Sequence, residues 1–248
     1  MSANPERLAH WLFDSFEVSP RPPIDLETLA VRMGIDQVLD TDMVEDGRLV
    51  QSSDRAVVHL RLNLHPRRRR FTLAHELAHR ILTHPEAPAV SYRRAGNGDD
   101  EERLCDQIAA SILMPQDWTR RFATRPQNLS TLRLMSERAQ VSLSAALVRS
   151  REINNWRKSL LRFSLDQGRW RFQGAFGVPI EWHRRIRSAP ATHDAINSVP
   201  IRRDWDCQLP LRAAESEISV TAQIDRWKNT TVALVELDER LAHRKPDG

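Results

Sequence analysis

The chain has 248 residues, enough for one large or two modest domains with a real core. Its hydrophobic share of 40% and charged share of 28% are those of an ordinary globular protein, and with no run of about eighteen apolar residues a transmembrane helix is not expected. The net charge of +4, from 37 basic and 33 acidic residues, is too mild to require a nucleic-acid partner; the only lysines are Lys158, Lys228 and Lys245, so the high isoelectric point reflects arginine usage.

Residues 6–17 place Leu8, Trp11, Leu12 and Phe16 at helical spacing, and no apolar leader precedes them, so a secretory signal is not expected. Ser19-Pro20-Arg21-Pro22-Pro23 breaks that helix. Asp25 stands at an N-cap before a second apolar face of Leu26, Leu29, Ala30 and Met33, which Gly34 ends. An Asp46-Gly47 turn leads into strands at 48–52 and 56–64, the second with Val58, Leu60, Leu62 and Leu64 on one side. The run Arg67–Arg70 opens a helix over about 69–83 that Pro85 and Pro88 stop. A loop at 86–100 precedes a helix at about 101–114, and further helices reach about 157 with Ser130 and Ser142 as caps. Residues 129–153 have the look of a helix-turn-helix, with Val141 in the turn; helices packed within the fold are the favoured reading, DNA contact the other. After Trp156 the texture turns to strands: 160–165 and 169–172 around Asp166-Gln167-Gly168, then 217–224 and 232–237. Cys105 and Cys207 form no C-x-x-C and read as reduced thiols, Cys105 as a buried small residue, in a cytoplasmic protein.

The chemistry lies in His75-Glu76-Leu77-Ala78-His79. On a helix, residues i and i+4 sit on one face one turn apart, so two neutral imidazoles can point at one metal ion. Glu76 flanks that face, where a carboxylate can act as base on a water. A catalytic zinc needs a third protein ligand. The spacing that adds a third histidine fails: its position is Pro85, its glycine is Leu82, and His84 is out of register. Glu101-Glu102-Arg103-Leu104-Cys105-Asp106 offers an alternative. Glu102 and Asp106 share a helix face, so Glu102 could ligate the metal and Asp106 could accept the outer N–H of a ligand histidine. Tyr92 is a weak candidate for an oxyanion donor, and the edge of strand 56–64 a candidate for pairing with an extended substrate. The arginine run reads as a solvated helix entry, with an acidic partner as the alternative.

Three blocks together carry a resemblance. Pro23-Ile24-Asp25-Leu26-Glu27-Thr28-Leu29-Ala30, then Arg70-Phe71-Thr72-Leu73-Ala74-His75-Glu76-Leu77-Ala78-His79, then Glu102-x-x-Cys105-Asp106-x-Ile108-Ala109-Ala110-x-Ile112-Leu113-Met114-Pro115, look like the ImmA/IrrE family of metallo-endopeptidases. The likeness covers about residues 20 to 150 and includes Val141-Ser142. Cys105 stands for the family's alanine and Ile108 for its phenylalanine, both core-type exchanges.

The resemblance implies one zinc ion per chain, held by His75, His79 and Glu102, with Glu76 as the base. It also implies cleavage of a partner helix-turn-helix repressor, which would release genes of mobile elements or of a stress response. The fold expected is α+β: a zincin-like domain of helices and a small sheet at 1–157, its helix-turn-helix-like part at about 117–157, then a small β-rich domain at 158–248. Two readings from other classes stand beside it: a DNA-binding regulator with a structural metal site, and an adaptor that binds a repressor without cutting it. Direct DNA binding is not favoured, and no membrane contact is expected.

Overall fold

The computed structural model describes residues 4–52, 55–88, 98–178, 186–189, 191–201, 204–213 and 216–237. It is α+β, helix-rich first and sheet-rich after. By packing, the chain divides into two compact units, Met1–Phe122 with Met135–Ala145, and Ala123–Leu134 with Ala146–Gly248. No helix among the described residues is long and apolar enough to cross a membrane.

The first unit begins with α1 (Pro5–Ser15), capped by the Asn4 side chain, which accepts from the backbone N–H of Glu6 and Arg7. Leu8, Ala9, Leu12 and Phe13 form its buried stripe. In α2 (Leu26–Arg32) the Asp25 carboxylate accepts from the N–H of Thr28, as the N-cap reading requires, and Gly34 takes the left-handed conformation at φ 75°. A three-stranded sheet follows, in the order β1 (Gln37–Thr41), β3 (Ala56–Arg61), β2 (Gly47–Gln51). β3 is central, parallel to β1 and antiparallel to β2, with Val58 opposite both Val38 and Leu49. Ala56, Val58 and Leu60 alternate inward, but the strand stops at Arg61. Leu62 is exposed, and Asn63 turns the chain at φ 61°, so the apolar alternation at 62–64 lies beyond the strand. α3 (Pro66–Leu82) and α4 (Gly98–Leu113) pack together. α5 (Gln116–Arg120) completes the run.

The helix-turn-helix-like pair is α6 (Leu129–Ala139) and α7 (Leu143–Asn154), joined through Gln140 at φ 54°. α6 contributes residues to both units. α7 buries Ala146, Leu147, Arg149 and Ser150 and leaves Val148 and Glu152 exposed.

In the second unit, β4 (Lys158–Asp166) and β5 (Arg169–Phe176) make the expected hairpin, with Gln167 and Gly168 both at positive φ as a two-residue turn demands. β4 starts where the change of texture was placed. β6 (Ile186–Ser188), α8 (Thr192–Asn197), β7 (Asp204–Ala213), β8 (Ser216–Arg226) and β9 (Thr230–Glu236) complete a six-stranded antiparallel sheet ordered β5-β4-β9-β8-β7-β6. The Phe172 N–H donates to Ser188 Oγ at 3.0 Å, tying β5 near β6 across the ends of the sheet. Leu161, Phe163, Trp170, Leu209, Val220 and Ile224 lie in its core. Outside it, Arg133 pairs with Asp204 and with buried Asp225, at 2.7 Å for the latter, which fixes the start of α6 to β7 and β8.

Candidate metal centre

α3 presents different groups on its two sides. Leu73, Ala74, Leu77, Ala78 and Ile81 are buried, while His75 and His79 look into a cleft of about 710 Å³. Pro66 starts the helix and His65 Nδ1 accepts the Arg67 N–H, 3.3 Å away. α4 buries Leu104, Cys105, Ile108, Ala109 and Ile112 and leaves Glu102 and Asp106 on the cleft side.

Three of the expected ligands meet. His75 Nε2 lies 3.1 Å from His79 Nε2 and 3.1 Å from Glu102 Oε2, and His79 Nε2 lies 3.5 Å from Glu102 Oε1. Donors about 2.0–2.2 Å from a tetrahedral cation stand roughly 3.3–3.6 Å from one another, so this set fits a single small ion. Two imidazole nitrogens and one carboxylate are the donor chemistry of zinc rather than of calcium or magnesium, which take oxygen. Among the described residues this is the cluster able to hold a metal.

The outer ring nitrogens are also engaged. His75 Nδ1 sits 2.9 Å from Asp106 Oδ1, as the spacing on α4 suggested. His79 Nδ1 has Cys105 Sγ as its hydrogen-bond partner at 3.4 Å, with the Glu101 carboxylate also 3.4 Å away. Burial lowers the His75 pKa, but the Asp106 hydrogen bond and the charges of Asp106, Glu76 and Glu102 outweigh it, and the net direction is up. Burial also pushes the Cys105 thiol up, which keeps it protonated and inert, as expected of a packed small residue.

Glu76 is buried, with 5% exposure, and desolvation holds its carboxyl above the usual carboxylate range, partly offset by His79 and His75. Its neighbour on the other side is β2. The Leu49 backbone N–H donates to the Glu76 carboxylate. A Cβ placed on Gly47 would strike Thr72 Cγ2 and stand 2.7 Å from Glu76 Oε1. Glycine is therefore what lets the strand lie against the helix here. Replacing Gly47 with alanine is expected to cost about 1–3 kcal/mol of stability in urea titration through overpacking. Gly98→Ala, which meets open space, should stay within about 0.5 kcal/mol of the parent.

β2 is also the strand that lines the cleft, through Gly47, Arg48, Leu49 and Gln51. This corrects the expectation for strand 56–64: β3 is paired on both sides and has no free edge to offer, whereas β2 is an edge strand. Asp46, at the head of β2, accepts from Arg68 Nε at 2.6 Å and Arg61 at 2.5 Å, and these contacts lower its pKa.

Arg68 of the arginine run is exposed and the other three are half-buried, and all four make contacts. Arg67 bonds Ser136 Oγ at 2.9 Å, Arg68 bonds Asp46, Arg69 bonds Asp40 at 3.0 Å, and Arg70 bonds the Ile24 carbonyl at 2.9 Å. Each arginine ties α3 to a different segment. His84 packs between Trp11 and Phe16, with ring centroids at 5.3 and 5.7 Å, which accounts for its absence from the metal cluster. Tyr92 lies outside the described residues. Gly47, Leu49 and Glu101 were missed from sequence. Only Gly47 carried a usable hint, a glycine at the head of a strand, which often marks a close backbone approach.

The family model of the IrrE N-terminal-like domain, Peptidase M78, matches residues 32–151. The radiation response metalloprotease IrrE of Deinococcus radiodurans is 38% identical over 90 residues, which span 33% of this chain and 26% of that protein. A transcriptional regulator of Mycobacterium tuberculosis shares the fold with a TM-score of 0.54 at 17% identity, over 93% of this chain and 75% of that one.

Proposed function

We propose, from the match of residues 32–151 to the IrrE N-terminal-like domain model, that this chain is a single-zinc endopeptidase acting on a helix-turn-helix repressor. The observation that carries the reading is the convergence of His75 Nε2, His79 Nε2 and Glu102 beside the buried carboxylate of Glu76, at the edge of β2.

His75, His79 and Glu102 would hold the zinc, leaving a position open to the cleft. When bound, zinc supplies Lewis-acid polarisation of a carbonyl and makes a water acidic near neutral pH. The chain's residues do the rest. Asp106 holds His75 through Nδ1 and so directs its Nε2 lone pair inward, while His79 Nδ1 is engaged by Cys105 Sγ. Glu76 takes the proton of the attacking water and passes it to the leaving amine. Its raised pKa suits that task, since a carboxyl poised nearer neutrality both accepts and returns a proton. The free edge of β2 gives an extended substrate a line of backbone partners across the cleft. The sheet-rich second unit would receive a signal or hold the substrate.

The test mixes the protein with the helix-turn-helix repressor encoded beside its gene and follows fragments by mass spectrometry. Discrete fragments are expected, lost with 1,10-phenanthroline and restored by added zinc. A repressor that stays whole with zinc-loaded protein sinks the substrate assignment.

A further inference from the structure

The cleft has a direction. Gly47, at the head of β2, lies against Thr72 and Glu76, while Gln51 Oε1, at the end of that strand, accepts from Arg80 Nη1 at 2.8 Å. β2 and α3 therefore run side by side the same way. Phe71, His75, His79 and Thr83 follow one another four apart along α3 and its C-cap, in a single stripe that lines the cleft. The metal cluster is the middle of that stripe, with Phe71 beyond it at one end and Thr83 at the other.

The edge of β2 fixes where an extended peptide would lie. The Asp46 carbonyl accepts from the Arg61 N–H at 2.9 Å, and the Ser52 N–H donates to the Arg55 carbonyl at 2.8 Å. Antiparallel pairing alternates, so the backbone at 46, 48, 50 and 52 faces β3. The backbone groups of Gly47, Leu49 and Gln51 then point outward, and these three residues all line the cleft. A peptide strand paired there runs along the stripe. It passes Phe71 on one side of the metal cluster and Thr83 on the other.

The two ends differ in chemistry. Among the described residues that line this cleft, Leu49 and Phe71 have the wholly apolar side chains. Both are half-buried, so each keeps apolar surface that a substrate side chain could cover. The Arg68 guanidinium stands 5.8 Å from the centre of the Phe71 ring and is itself held by Asp46 at 2.6 Å, which gives that end a fixed wall. At the other end Thr83 is exposed and donates to the Arg80 carbonyl at 3.1 Å, and Gln51 is engaged by Arg80.

We infer that Phe71, with Leu49, forms a subsite for an apolar side chain of the substrate on one side of the cut bond, and that the opposite side has no such preference. A helical turn rises about 5.4 Å and an extended chain advances about 3.3 Å per residue, so that side chain belongs to the residue one or two places from the bond. The inference rests on the peptidase reading above and adds to it what selects the bond.

The experiment uses zinc-loaded wild type, Phe71→Ala, Phe71→Gln and Glu76→Gln on the repressor encoded beside the gene, with zinc content and melting temperature measured for each. Once mass spectrometry has placed the cut, each repressor residue within three places of it is changed in turn to leucine and to serine. At one position, on one side, the wild type should prefer leucine by about 10- to 100-fold in kcat/KM, with every other position within about threefold. In Phe71→Ala and Phe71→Gln that preference should fall to within about threefold. The ratio compares two substrates on one enzyme, so a general loss of folding cancels from it. A preference that survives in either variant while it holds zinc and melts as a folded protein overturns the inference. If neither variant folds, the wild-type profile decides alone, and a flat or two-sided profile overturns the inference. A wild type that cuts nothing, or a Glu76→Gln that cuts as fast, defeats the peptidase reading and this inference with it. A cutting wild type and an inert Glu76→Gln with a flat profile overturn the inference alone.

Discussion

Glu76→Gln should lower cleavage by about 10²- to 10⁴-fold while leaving zinc bound, because the change removes a proton acceptor and little else. The amide has the carboxylate's shape and fits the same buried slot. Its carbonyl oxygen can still accept from the Leu49 N–H, so the strand contact survives. Glu76 is not a member of the His75, His79 and Glu102 cluster, so three donors would remain for the zinc without it. Turnover and bound zinc, measured on the same preparation, separate the outcomes. Undiminished turnover removes Glu76 from the role of base. Lost turnover with lost zinc would make Glu76 part of the metal shell instead.

Glu102→Ala carries the second large effect, on metal affinity. It leaves two imidazoles 3.1 Å apart with no third protein donor. Losing an outer hydrogen-bond partner of a ligand costs about 10- to 100-fold in metal affinity, and losing a ligand should exceed that. Asp106→Asn, which loosens His75 alone, sets the comparison and should fall within about 10- to 100-fold. The Glu102 side chain is 61% exposed, so the metal-free variant should unfold within about 0.5 kcal/mol of the metal-free parent. Zinc titration against a competing chromophoric chelator reads the affinities. Equal zinc affinity for Glu102→Ala and the parent would exclude Glu102 as a ligand.

Both expectations start from residues visible in one dimension. His75 and His79 four apart, and Glu102 and Asp106 four apart, fall on helices whose apolar spacing is unmistakable, and helical geometry does the rest within each helix. Other features were hidden for stateable reasons. β1 has no alternation to read, because its residues Gln37–Thr41 are half-buried or exposed; it is a strand because β3 offers it a parallel partner. β7 contains Pro210 well inside the strand, facing Ser219, where a proline argues against a strand from sequence alone. At 62–64 the alternation ran on past the true end of β3 because Asn63, not the apolar residues, sets the turn.

The sequence alone determined the elements that depend on local periodicity and capping: α1 from the spacing of Leu8, Trp11, Leu12 and Phe16, α2 from Asp25, the ligand helices, and the β4–β5 hairpin from Gln167-Gly168. It also offered a candidate donor set, His75, His79 and Glu102, through the residue types and spacings on α3 and α4. Only the tertiary structure decided which strand has a free edge, which groups meet His79 Nδ1, and where each arginine of the run goes. Those follow from contacts between segments 20 to 70 residues apart, such as Arg68 with Asp46 and Arg67 with Ser136, and no local spacing encodes them. The close seating of Gly47 against Thr72 and Glu76 is of the same kind. A glycine before a strand reads as a turn until the helix it must admit is in place.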